Sequence, residues 1–490
     1  MASITPSLHF VLFPLLAPGH MVPMIDIARI LANHGSTVTV ITTPLNANRY
    51  KSVIARAVAT NHKIQIIELE LQLAKVGLPE GCESFDTLPS PALAYKLIAA
   101  MDLLQEPSET AIRKLAPAVS CIISDSYMPW TADVALRLNI PRLVFHGPGC
   151  FWMVCMHIVF TTNVLTEIKT DSQKFVLPGL PDRIEVTKLQ LMGTTRVETT
   201  DRTGFRSRVE EAEKHTYGFV VNTFHELEPE YVHELAKAKG KKVYCIGPVS
   251  LCNKDNLDKA ERGNKAAINE HDCLKWLDAN EPGSVVYISL GTLTRVPTDQ
   301  LIELGLGLES SNVPFIWCIR TKTEELERWF SESGFEERVR DRGLIIHGWA
   351  PQLLILSHRA VGGFLTHCGW NSILEAVCAG QPMVTWPHLF DQFLNEKFVI
   401  DVLKIGVSIG VEIPAPLGEQ DKVGPFVKKE DIKSAIDRLM NKNEEGELIR
   451  KRAQELAKMA NIATEDGGSS HLDTKLLIRD IGEQLAKTAN

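Results

Sequence analysis

Val361-Gly-Gly-Phe-Leu-Thr366, then His367-Cys-Gly-Trp-Asn371, then Ser372-Ile-Leu-Glu-Ala-Val-Cys-Ala379 reads as a strand, a turn and a helix. The first run is short and apolar, as a strand buried on both faces of a parallel sheet should be. Gly380 and Pro382 stop the helix. In doubly wound sheets ligands bind beyond the carboxyl ends of the strands, close to helix N-termini. Such a terminus offers unpaired N–H groups and a partial positive charge, which suits a diphosphate. His367, Asn371 and Ser372 sit on this turn and could add side-chain donors. A rival reading stands beside that one. Ser372-Ile-Leu-Glu375 has the S-x-x-E form of a capping box, and His367 could be a satisfied core histidine. The chain has neither G-x-G-x-x-G nor a Walker A loop, so dinucleotide and P-loop chemistry are not indicated.

Outward from this segment the same alternation recurs. Phe10 to Leu16, Val38 to Thr42, Ile64 to Leu69, Cys121 to Ser124 and Leu143 to Phe145 read as strands. Helical patterns run from Pro23 to Asn33 and from about Trp130 to Leu138. The stretch from about 240 to 265 is polar and turn-rich, which marks a linker. Alternation restarts with strands at Ser284 to Ser289, Phe315 to Ile319 and Leu344 to Ile346, and a helix from Thr298 to Leu308. A chain of 490 residues exceeds one ordinary domain. The expectation is α/β: two doubly wound, Rossmann-like domains facing a central cleft, 1–247 and 248–468, with a C-terminal helix in 469–490 packing back on the first.

Apolar residues make up 44% and charged residues 23%, as in a soluble globular protein. A net charge of −8 argues against nucleic acid as a partner. The ten cysteines show no CxxC pair, so reduced, mostly buried thiols are expected rather than a disulfide framework or a zinc site. The apolar run His9 to Leu16 lacks the basic leader and cleavage site of a signal peptide. No run of eighteen apolar residues exists, so no membrane span is expected. The composition reads as a cytoplasmic protein, expected to act as a monomer.

The 44 residues from Trp349 to Gln392, W-A-P-Q…H-C-G-W-N-S…E…G-Q-P…W-P…D-Q, closely resemble the signature box of plant UDP-glycosyltransferases, enzymes of the two-domain GT-B fold. The resemblance implies a role for each position. Trp349 would stack on uracil and the Ala350 backbone would read the base edge. Gln352 and Glu375 would hold the ribose hydroxyls. His367, Asn371 and Ser372 would grip the diphosphate, with Ser289 and Thr292 nearby. Trp370, Asp391 and Gln392 would contact the sugar. For Trp349 and Trp370 ordinary core packing is the competing explanation. Within the family, Trp at position 370 and Gln at position 392 go with UDP-glucose.

Transfer to a hydroxyl needs a general base, because an alcohol is a weak nucleophile near neutral pH. His20 lies in the loop after the first strand and Asp125 at the carboxyl end of the Cys121–Ser124 strand. A carboxylate on one ring nitrogen would fix the tautomer and stabilise the imidazolium. Spacing alone proves nothing, and Asp125 could simply cap the helix that follows. The resemblance extends to both, through G-H-M-V-P-M-I-D-I-A-R and S-D-S-Y-M-P-W-T-A-D-V-A. It implies inversion at the anomeric carbon, a β-glucoside product, UDP leaving with its charge offset by the helix terminus and His367, and no metal or other cofactor.

Leu78-Pro-Glu-Gly-Cys-Glu83, Asn222-Thr-Phe-His-Glu-Leu-Glu228 and Gly247-Pro-Val-Ser250 resemble the branch acting on triterpenoids, steroids and flavonoids. The implied partners are a UDP-sugar and a small lipophilic acceptor, a terpenoid before a flavonoid. Met128, His146, Phe151, Met192 and Leu389 are candidate acceptor residues, and the same apolar side chains could equally be core. Two alternatives remain: a hydrolase activating water through His20 and Asp125, and a non-catalytic nucleotide-sugar or metabolite-binding protein.

Overall fold

Short apolar runs, buried at almost every position, become parallel strands because both of their faces must be covered. In chain order all the strands, parallel or not, are β1 (His9–Phe13), β2 (Thr37–Thr42), β3 (Ile64–Glu68), β4 (Cys121–Asp125), β5 (Arg142–His146), β6 (Lys174–Val176), β7 (Glu185–Thr187), β8 (Gly218–Val221), β9 (Lys242–Cys245), β10 (Val285–Ser289), β11 (Phe315–Ile319), β12 (Gly343–His347), β13 (Val361–Thr366), β14 (Met383–Thr385) and β15 (Gly406–Ser408). The computed structural model describes residues 8–195, 204–414 and 427–488, without the side chains of 192–195.

Two parallel sheets result. One has seven strands in the order β3-β2-β1-β4-β5-β8-β9, the other six in the order β12-β11-β10-β13-β14-β15. In each, the order reverses direction beside the first strand, the switch-point arrangement of doubly wound folds. β6 and β7 form a separate antiparallel pair.

The chain divides into two compact units, Met1–Cys150 with Thr200–Lys254 and Ile462–Asn490, and Phe151–Thr199 with Asp255–Asn461. The sequence boundary at 247 therefore differs in detail. Phe151–Thr199 counts with the second unit, and β9, inside the polar stretch read as linker, is the edge strand of the first sheet. The C-terminal helix Ser469–Thr488 packs on β9: Asp480 accepts from Lys242 Nζ at 2.6 Å and from Tyr244 Oη at 2.8 Å, and Leu477 and Ile481 enter the first unit's core. All ten cysteines are free, and most are buried.

Candidate active site

Three neighbouring strands of the first sheet deliver one cluster. The helix after β1 spans Pro18–Asn33, five residues more than the sequence reading gave it, because Pro18 takes the first helical position. His20 therefore stands in the first turn of a helix, not in a loop. Asp125, the last residue of β4, is wholly buried and its Oδ2 lies 2.6 Å from His20 Nδ1. Its Oδ1 accepts the Tyr127 backbone N–H at 3.0 Å, so the carboxylate is fixed at both oxygens. Asp125 does not cap the next helix, Thr131–Leu138, whose N-cap is Trp130. Gly147, directly after β5, lies against the imidazole: a Cβ there would come within 2.8 Å of His20 Cε1. The His20 side chain keeps a quarter of its surface exposed. The ring of Tyr127 meets it edge-on at 6.4 Å, and Phe205 lies 5.6 Å from Tyr127. Sequence reading missed Gly147, Tyr127 and Phe205, which no local pattern distinguishes.

In the second unit the strand–turn–helix is as expected, with one correction. The helix after β13 spans Trp370–Ala379 and its N-cap is Gly369, which has no side chain to cap it. Ser372 is thus a third helical residue, and the capping-box reading fails. Ser289, the last residue of β10, pairs in register with Thr366 of β13, so the loop carrying Thr292 leaves the sheet beside His367. Gly291 in that loop, at φ +82°, leaves no room for a Cβ beside the His367 ring. Nδ1 of His367 is buried with no hydrogen-bond partner, and burial pushes the imidazole down to about 4. At neutral pH this imidazole carries no charge, so the positive potential at the turn comes from the helix terminus.

Gln352, Ser372 and Glu375 form one network. The Gln352 amide donates to Ser372 Oγ at 3.1 Å and to Glu375 Oε2 at 2.8 Å, while Tyr287 Oη donates to Gln352 Oε1 at 3.4 Å. The other Glu375 oxygen is paired with the Arg262 guanidinium, in the stretch read only as linker. Trp349 is half-buried, with the Arg320 guanidinium 5.2 Å from its ring and Gly263 against its benzo edge. Ala350 is buried beside it.

Trp370 is 4% exposed and packs on Phe398 at 5.9 Å, so most of its indole serves the core. Asp391 and Gln392 follow β14. Gln392 Oε1 accepts the backbone N–H groups of His388 and Leu389 at 2.8 and 3.0 Å. Asn395, also missed, donates to Asp391 Oδ2 at 2.6 Å and to the Cys368 carbonyl at 2.9 Å, tying the Asp391 carboxylate to the turn after β13.

Comparison with known proteins bears on the family and the fold. The family model described as UDP-glucoronosyl and UDP-glucosyl transferase matches residues 263–412, and that described as glycosyltransferase, N-terminal domain, matches residues 7–251. UDP-glycosyltransferase 73E1 of Stevia rebaudiana is 61% identical over 97% of each chain, and UDP-glycosyltransferase 73C12 of Barbarea vulgaris is 50% identical over 99% of this chain and 98% of its own. The chain belongs to the UDP-glycosyltransferase family. Among solved structures, Glycyrrhiza uralensis UGT73P12, complexed with glycyrrhetinic acid 3-O-monoglucuronide, superposes with a TM-score of 0.91 at 36% identity, covering 99% of this chain and 97% of its own. Medicago truncatula UGT71G1, complexed with UDP-glucose, gives 0.77 at 25% identity, covering 98% of this chain and all of its own. The fold is therefore GT-B, and this UDP-glycosyltransferase is an enzyme that transfers a glycosyl group from a UDP-sugar.

The acceptor candidates of this UDP-glycosyltransferase separate. Met128 lies in the first unit's core, while Phe151, 1% exposed and 5.0 Å from Phe398, and Leu389 are buried in the second. His146 is engaged by Glu213 at 3.0 Å. Burial works to raise the Glu213 carboxyl, but His146 and Lys239 outweigh it and hold it at about 2. Met192 stands in the helix Lys188–Thr195, its side chain outside the described residues. A cavity of about 610 Å³ beside β3, lined by Ile67, Leu69, Glu106, Thr110 and Lys114, contains none of the predicted site residues. Nor does the cluster of His225, Cys245 and Asp473, whose members already bond to one another. Among the described residues no helix is long and apolar enough to cross a membrane.

Proposed function

We propose that the enzyme moves glucose from UDP-glucose to a hydroxyl of a small lipophilic plant metabolite, with inversion, giving a β-glucoside. The observation that carries this is the 2.6 Å contact between His20 Nδ1 and the wholly buried Asp125 carboxylate. That contact fixes the ring so that Nε2 takes the acceptor proton as the oxygen attacks the anomeric carbon, and Asp125 stabilises the imidazolium that forms. The C–O bond to UDP breaks on the opposite face, and the diphosphate departs with its charge offset by the N-terminal dipole of the helix beginning at Trp370. No cofactor is assigned beyond the donor itself.

Glucose is favoured by Trp370 and Gln392, and by the UDP-glucose complex of the Medicago relative. A terpenoid acceptor is favoured by the glycyrrhetinic acid derivative on the Glycyrrhiza relative. The partly exposed rings of Tyr127 and Phe205 beside His20 add an apolar surface suited to such an aglycone. We place the enzyme in the cytoplasm as a monomer. Incubating it with UDP-glucose and panels of triterpenoids and flavonoids, read by mass spectrometry and anomeric NMR, tests the proposal. A β-linked hexose adduct is expected. Release of free glucose with no adduct on any acceptor would turn the reading to a hydrolase, and binding of UDP-glucose with no turnover would turn it to a non-catalytic binder.

A further inference from the structure

The polar stretch around residue 262 has the composition of a plain tether, yet it makes three contacts with the residues assigned to the nucleoside. The Arg262 guanidinium is ion-paired with Glu375 Oε1, in a setting where the two side chains are only 9% and 6% exposed. Gly263, at φ +109°, lies so close to the Trp349 indole that a Cβ would sit 2.7 Å from Cζ2. The Ala267 backbone N–H donates to the Trp349 carbonyl at 2.7 Å. Residues 262–267 are thus strapped along the proposed uridine site.

From this arrangement we infer that Arg262 is a positioning residue for ribose recognition: it holds the Glu375 carboxylate oriented for the ribose diol, while the adjoining Gly263 borders the base-stacking indole. The inference rests on the UDP-sugar reading of Glu375 and Trp349. A carboxylate has about four lone-pair positions on its two oxygens. Arg262 occupies one on Oε1 and Gln352 one on Oε2, so acceptor positions remain for two hydroxyls. A nearly buried carboxylate stripped of its cation loses the partner that fixes its orientation and turns toward water, and so stops accepting from a diol. The guanidinium's planar fork sets orientation as well as charge, which an ammonium does only in part.

The test is calorimetric titration of UDP and of 2′-deoxy-UDP into the full-length wild type, R262Q, R262K, E375Q and the double variant R262Q/E375Q. Wild type is expected to prefer UDP. R262Q should lose about tenfold in UDP affinity, the loss expected for a hydrogen bond to a charged group, and much less for 2′-deoxy-UDP. R262K should fall between. In the E375Q background, where the buried charge is already gone, R262Q should cost nothing further. Full UDP preference retained in R262Q, or an undiminished R262Q effect when Glu375 is already Gln, overturns the inference while leaving the UDP-sugar site standing. A wild type that binds both nucleotides equally would overturn the ribose role of Glu375 itself, and the inference with it.

Discussion

Gly147→Ala isolates the position of the proposed base, His20, from everything else at the site. Gly147 has an ordinary backbone conformation, so alanine meets no φ penalty there, and the effect is purely one of contact. The new methyl would stand 2.8 Å from His20 Cε1 and 3.3 Å from both ring nitrogens. Carbon atoms in van der Waals contact sit about 3.5–4.0 Å apart, so the imidazole has to retreat by roughly 0.7 Å or more. His20 is a quarter exposed and has room to move outward, whereas Asp125 is buried and held by the Tyr127 N–H. The displacement therefore falls on the 2.6 Å contact between them. A misplacement of about 1 Å at a reacting group costs about 100-fold, so kcat should drop by roughly 10- to 100-fold. UDP affinity should hold, and the apparent Tm should move by no more than about 3 °C, because no buried contact is lost. Steady-state kinetics with saturating UDP-glucose, beside a UDP titration and a melting curve, give all three numbers. If G147A keeps kcat within about threefold of wild type, packing against Gly147 does not set the base, and the argument fails.

Asp125→Asn keeps the shape but turns an acceptor toward a possible donor at His20 Nδ1, so kcat should fall by at least about 100-fold, measured as initial glucoside formation. Trp349→Ala should weaken UDP binding by about tenfold or more while leaving inorganic pyrophosphate binding unchanged, both read by calorimetry. His388 gives a pH test. Burial chiefly, and His367 in addition, holds its imidazole down at about 3, and its Nε2 has no partner. A histidine depressed in the fold binds a proton more readily when unfolded, so its contribution to stability is present above about pH 6.5 and is lost as pH falls toward 3. His388→Leu should therefore melt higher than wild type at pH 5 and close to it at pH 8. A wild type and variant whose melting curves shift in parallel from pH 8 to pH 5 would contradict that.

The long apolar strands were readable because burial on both faces leaves no other composition for them; β1, β2, β4, β10, β11 and β13 all have it. β14 and β15 have three residues each, too few to show a period, and β9 opens on Lys242 inside a polar stretch. The helix at Ser372 illustrates a different failure. S-x-x-E is a true capping pattern, but here Gly369 already serves as the cap, and the serine faces Gln352 instead. At the site, residues whose chemistry is carried by the side chain itself were reached through the family resemblance, His20 and Asp125 by their own motifs and Gln352 and Glu375 by the signature box. Arg262, Gly147 and Asn395 did not. Each acts through a partner distant in sequence, and an arginine in a polar stretch, a glycine after a strand and an asparagine within a helix are all ordinary until that partner is in place.

The Gln392 carbonyl, which closes the turn made by His388 and Leu389, has a consequence for redesign of donor choice. Replacing Gln392 to admit another hexose also withdraws the acceptor from two backbone N–H groups in the loop that follows β14. Two orphaned donors weigh as much as the proposed sugar contact, about 1–3 kcal/mol each when buried. On the proposed donor assignment, sugar preference and loop conformation are thus written in one side chain, and a switch of specificity at this position calls for compensating changes at 386–390 rather than a single substitution.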